Sequence, residues 1–145
     1  MRALPFLLAA LLPGCSLLWP QPVEVVHHEV VTDSGVRYVD FLAGQGPAVV
    51  ADSVVTIDYT AKLPDGTVID STGDRGIPVT FQMGEAPIEG WNHGLLGMRA
   101  GGRRTLVVPA SLAYGEEGVP GLVPPGATLL FEVELQTVGA GGAPD

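Results

Sequence analysis

The chain has 145 residues, 46% of them hydrophobic, and a formal net charge of −9 at pH 7. That length supports one core of ordinary size and not two. The acidic balance, with no basic cluster beyond Arg99, Arg103 and Arg104, argues against nucleic acid as a partner. A single cysteine excludes an intramolecular disulfide.

Residues 1–14 read as an export signal: a positive charge at Arg2, an apolar run from Leu4 to Leu12, then small residues. The run is far short of the roughly 20 apolar residues a spanning helix needs. Leu12-Pro13-Gly14-Cys15 resembles the bacterial lipobox, in which the cysteine thiol carries the lipid. Cys15 is therefore the expected lipidation site and residues 15–30 the expected lipid-anchored tether. The protein is expected in the bacterial cell envelope, on the outer membrane facing the periplasm. His27 and His28 would face opposite sides of a strand. No second cluster follows at ligand spacing, so no metal site is expected.

"VEVVHHEVV" is an edge strand or an extended lead-in, and "VRYVDFLAGQGP" is a short strand closed by glycines. In "SVVTIDYTAKL" the set Val55, Ile57, Tyr59, Ala61 alternates with Thr56, Asp58, Thr60, the period of a half-buried strand. Pro64 to Gly66 make a turn, "TVID" is the partner strand, and "IPVTFQMG" is another extended piece. One helix is expected from Ile88 to Met98, where Ile88, Trp91, Leu95 and Met98 share a face. Gly90, Gly94 and Gly97 each weaken it by about 1 kcal/mol, and Gly101-Gly102 stop it. Arg99, Arg103 and Arg104 read as a solvated junction between helix and strand. "RRTLVVP" and "ATLLFEVELQTV" are strands, the second with Leu129, Phe131, Val133 and Leu135 on one face and Glu132, Glu134 and Gln136 on the other. Between them lies a long loop rich in glycine and proline, a composition that marks a functional or disordered segment. A sheet that is apolar on one face and polar on the other, with one helix, predicts an antiparallel α+β domain over residues 31–138. Residues 139–145 read as a disordered tail.

Three stretches, "IDYTAKLPDGTVIDST", "EGWNHGLLGMRAGGRRTLVVP" and "LAYGEEGVPGLVPPGATLLFEVEL", together resemble the FKBP-type peptidyl-prolyl cis-trans isomerases. The resemblance runs from about Gly35 to Val138. It implies a curved antiparallel sheet of about five to six strands wrapped around one short helix, with an apolar pocket between them. It also implies a catalytic set of Tyr59, Asp70, Trp91, Tyr114 and Phe131. Trp91 is the implied floor, Phe131 the far wall, and Asp70 an orienting group paired with Tyr59 or Arg75. Substrate would further meet Ile69, Arg75, Val79, Phe81 and Ile88, and the flap residues Val119, Leu122 and Val123. The backbone N–H of Ile88 and the hydroxyl of Tyr114 would donate to substrate carbonyls. No cofactor or metal is implied.

The implied activity is isomerisation of X–Pro bonds in exported proteins, with apolar walls stabilising the twisted amide. The alternative is a non-catalytic proline-peptide binding or chaperone module using the same pocket. Proline-containing polypeptides and macrolide immunosuppressant-type inhibitors are the expected partners, and a monomer the expected state. Ile69 stands where the family usually has phenylalanine, and Val79 takes a frequently aromatic place, so a wider, more aliphatic pocket is expected. Pro87 directly precedes Ile88 in a stretch one residue shorter than usual.

Overall fold

The structure, a computed structural model, describes residues 28–140. The signal, Cys15, His27, most of the tether and the last five residues lie outside the described residues. Seven strands follow in order: β1 Glu29–Val31, β2 Arg37–Leu42, β3 Val54–Lys62, β4 Val68–Ser71, β5 Val79–Gln82, β6 Arg103–Val108 and β7 Leu129–Gly139. Two short helices, α1 Thr72–Arg75 and α2 Glu89–Gly94, and a 3-10 turn at Ala110–Leu112 complete the elements.

All strand pairings are antiparallel, in the order β1-β2-β6-β7-β3-β4, with β5 also on β3. The period of two in β3 and β7 does what it predicts. Val55, Ile57, Tyr59 and Ala61 are buried, as are Leu129, Phe131, Val133 and Leu135. Thr60 and Glu132, paired across the same two strands, stay on the wetter face. β4 covers β3 at Thr60 to Lys62 and β5 covers it at Val54 to Ile57. Asp58 and Tyr59 fall in the gap between them, and α1 fills that gap.

α2 lies on the inner face of the sheet, against β6. A Cβ on Gly90 would come within 2.4 Å of Val108 Cγ1, and one on Gly94 within 2.9 Å of Leu106 Cδ2. The glycines that weaken this helix are therefore what lets it pack so closely, because Val108 and Leu106 are fully buried and cannot retreat.

Four expectations are corrected. The sheet has seven strands, since the lead-in contributes β1, which begins at Glu29 inside the expected tether. β7 runs through Gly139, paired with Val54, so that residue belongs to the sheet and not to the tail. The helix ends at Gly94, well before Gly101-Gly102, and Gly97 adopts φ 79°, which no helix continues through. Leu95 and Met98 are still buried, so the apolar spacing marked burial beyond the helix itself. Arg104 is not solvated: it is 4% exposed, on the same face of β6 as Leu106 and Val108.

Candidate functional site

The gap between β4 and β5 leaves the Tyr59 backbone N–H without a strand partner, and a buried donor must find an acceptor. Thr72, the first residue of α1, supplies it: its hydroxyl accepts from Tyr59 N at 3.0 Å and donates to Asp58 Oδ1 at 2.8 Å. Thr72 is 1% exposed. This bond holds α1 on β3, and α1 then carries Arg75 back over Tyr59. The Tyr59 hydroxyl donates to Asp70 Oδ2 at 2.5 Å and accepts from Arg75 Nη2 at 2.9 Å. Arg75 Nη1 lies 3.5 Å from Asp70 Oδ1. Asp70 thus meets both of its expected partners.

Burial and then the Asp70 bond hold the Tyr59 hydroxyl above its ordinary pKa of 10.0, with Arg75 pulling the other way. A raised value in the folded chain means that the unfolded chain loses this proton first. The stabilising term is whole below pH 10.0 and is lost as pH rises beyond it. Tyr59→Phe is therefore expected to flatten the decline of urea stability above pH 10.0. An unaltered decline would mean that this hydroxyl takes no part in alkaline unfolding.

Four aromatic rings, Tyr59 among them, converge here. Trp91 meets Tyr59 at 4.8 Å and Phe131 at 5.3 Å, both edge to face, and stacks on Phe81 at 5.7 Å between centroids. Such contacts add about 0.5–1.5 kcal/mol each beyond area burial. They also close over the indole, which is 1% exposed, and among the described residues its Nε1–H has no hydrogen-bond partner. Ile69 and Val79 are half-buried against the hydrophobic core that contains these rings. Trp91, the expected floor, is thus packed by three neighbouring rings.

The flap between β6 and β7 is tied to itself. Val119 and Val123 exchange backbone bonds of 2.9 and 2.8 Å, around a turn with Pro120 and Gly121 at its centre. Leu122 at the tip and Tyr114 at the base are exposed, and Val119 is half-buried. Val123 does not share their position; at 3% exposure it is part of the core under the flap. Leu122 closes the turn and stays exposed, while Val123, bridged to Val119, packs inward.

Two donors stand ready. Among the described residues, neither the Ile88 N–H nor the Tyr114 hydroxyl is engaged by a protein acceptor. Ile88 is the N-cap of α2, where backbone N–H groups lack intrahelical partners. The loop that leads into it is fixed by Asn92, whose Oδ1 accepts from Gly84 N at 2.8 Å and Ala86 N at 3.2 Å. Pro87 lies within that loop, and its fixed φ adds to the restraint.

The sequence reading missed Thr72, Asn92 and Arg104. Only Arg104 left a trace in the pattern, through its spacing of two from Leu106. A concavity of about 670 Å³ is lined by Asp58, Thr60, Arg103, Thr105 and Glu132 and reaches Tyr59 and Thr72 at its edge. Its charges are engaged: Arg103 pairs with Glu134 at 3.1 Å, Glu132 with Lys62 outside the lining at 3.0 Å, and Asp58 accepts from Gln136 at 2.7 Å. We take the candidate site at the aromatic face instead, where Ile88, the N-cap of α2, shares the buried core with Trp91. Among the described residues no group of His, Cys, Asp and Glu is placed to hold a metal ion.

A family model described as FKBP-type peptidyl-prolyl cis-trans isomerase matches residues 46–136. A probable FKBP-type peptidyl-prolyl cis-trans isomerase of Haemophilus influenzae is 41% identical over 107 residues, which are 74% of this chain and 44% of that protein. An FK506-binding protein of Neisseria meningitidis is 43% identical over 100 residues, 68% of this chain and 92% of that one. The crystal structure of FkpA from Escherichia coli superposes with a TM-score of 0.71 at 38% identity, covering 79% of this chain and 53% of that one. The chain thus spans less than half the length of the Haemophilus relative and most of the Neisseria one.

Proposed function

This chain belongs to the FKBP-type peptidyl-prolyl cis-trans isomerase family, and from that membership we propose that it accelerates rotation about X–Pro bonds in exported polypeptides. The observation that carries the reading is the buried Tyr59, Phe81, Trp91, Phe131 cluster together with two unengaged donors, Ile88 N–H at the start of α2 and the hydroxyl of exposed Tyr114. An X–Pro bond needs no nucleophile to isomerise; it needs its conjugation broken, against a barrier of about 18–20 kcal/mol. The twisted amide has lost resonance and is less charge-separated than the planar one. Apolar walls therefore favour the transition state over either ground state. Lowering the barrier by about 5.5 kcal/mol gives a rate gain of about ten-thousandfold.

In this reading a peptide first meets exposed Leu122 and Tyr114. Its carbonyls take the two free donors, and its proline ring reaches the indole by displacing the side chains that cover it. Asp70 and Arg75 hold the Tyr59 ring in place and neither moves a proton. The covered indole is also what supports the second reading, a module that holds proline segments without turning them over. A protease-coupled proline-peptide assay separates the two. Acceleration above the uncatalysed rate supports the enzyme, and binding without acceleration supports the holding module. Macrolides of the FK506 type would compete for the same face, and the protein would act as a monomer.

The proposal includes a place. The apolar run before Cys15 and the Leu-Pro-Gly-Cys sequence support a lipid anchor in the bacterial envelope, on the periplasmic side of the outer membrane. Among the described residues no helix is long and apolar enough to cross a membrane. Cys15→Ala is expected to release the protein from the membrane fraction or block its processing; undiminished membrane association would refute acylation.

A further inference from the structure

We propose that Arg104 is a positioning residue for the isomerase site, fixing the pose of α2 and with it the Trp91 indole and the Ile88 N–H. The inference rests on the isomerase reading above and adds a residue to it. α2 has six residues, too few to hold a helical shape on its own, and its last carbonyls lack intrahelical partners. Arg104 Nη1 donates to the carbonyls of Gly94 at 2.8 Å and Leu96 at 3.1 Å. Its Nε and Nη2 grip Asp40 Oδ1 and Oδ2 at 2.6 and 3.0 Å. The guanidinium carbon stands 3.8 Å from the centroid of the Tyr38 ring. The Arg104 side chain is only 3% exposed.

One planar group therefore joins β6, β2 and the end of α2, in a fork geometry that lysine cannot copy. Trp91 lies one turn before Gly94, and its N–H bonds to the Ile88 carbonyl at 3.0 Å. Any tilt of the helix end carries the floor and the donor together. A buried ion pair is weak evidence for stability, because apolar replacements of similar volume are often neutral. What such replacements would lack here is the grip on the Gly94 and Leu96 carbonyls.

That difference makes the test. Asp40→Leu combined with Arg104→Met removes both charges and leaves neither buried alone. In the full chain with Trp19→Phe, the remaining indole N–H resonance reports Trp91. The double variant is expected to unfold cooperatively near the parent urea midpoint, yet to lose about tenfold in kcat with KM within about twofold of the parent. Its indole resonance should shift. Arg104→Lys, which keeps the charge and loses the fork, should fall between, and it decides the matter if the double variant fails to fold. Parental kcat together with an unmoved indole resonance would overturn the proposal. If the parent chain shows no isomerase activity, the isomerase reading fails. The indole resonance then still judges the clamp, and an unmoved signal overturns it.

Discussion

Trp91→Ala is expected to destabilise the domain by about 3–5 kcal/mol and to abolish turnover. The stability loss follows from burial: the indole is 1% exposed and touches three other rings, so its removal leaves a hole that those rings cannot fill by small shifts. A domain of this size has about 5–15 kcal/mol in total, so the variant remains folded at low temperature with a much reduced urea midpoint. Trp91→Leu separates the two effects. It fills more of the volume and costs less stability, but it offers no flat apolar face to a pyrrolidine ring. Turnover should stay low in the leucine variant even where it is fully folded. Normal turnover in folded Trp91→Leu would show that the indole serves packing alone.

Gly118→Ala is expected to cost at least about 2 kcal/mol and to lower turnover sharply, because it acts on the flap from beneath. Gly118 has φ 60°, and a Cβ there would lie 2.3 Å from the Val123 carbonyl oxygen and 2.8 Å from the Pro124 carbonyl carbon. Those are backbone atoms of the returning arm, so the clash is relieved only by pushing that arm away. Val123 would then leave the core, and Leu122 would move with it. Gly121→Ala is the matched comparison. Its φ of 77° is equally left-handed, but nothing lies within 4 Å of the added carbon. It should lose only about 1 kcal/mol and retain turnover. Equal losses for the two variants, measured by urea unfolding and peptide turnover, would mean that the flap position does not depend on this contact.

The parts of the fold readable in the sequence are those governed by one-dimensional periodicity. The alternation in β3 and β7 names the buried face correctly at every inner position from Val55 to Ala61 and from Leu129 to Leu135. Family-specific spacing brought Tyr59, Asp70 and Arg75 to one place, which no local pattern does. What the sequence concealed depends on packing in three dimensions. α1 is a single turn, too short to show a helical period, and Thr72 matters only because β4 and β5 leave a gap beside Tyr59. Arg104 sits next to Arg103, and two adjacent charges suggest solvent. Yet the period of two set it in line with Leu106 and Val108, and Asp40 makes its burial tolerable. Leu122 and Val123 are chemically alike and adjacent in a loop, so only the bridge to Val119 tells which of them faces the core. The closure of the indole follows from how Phe81 and Phe131 approach from separate strands.

The most direct test of the account is exchange spectroscopy on a short proline peptide whose cis and trans forms give separate signals. Without catalysis the two forms interconvert in about tens to hundreds of seconds. A sub-stoichiometric amount of the protein should produce cis–trans exchange peaks at much shorter mixing times, and folded Trp91→Leu should not. Peptide that binds, as judged by its shifted signals, while exchange stays at the uncatalysed rate would contradict the claim that this aromatic face lowers the rotational barrier.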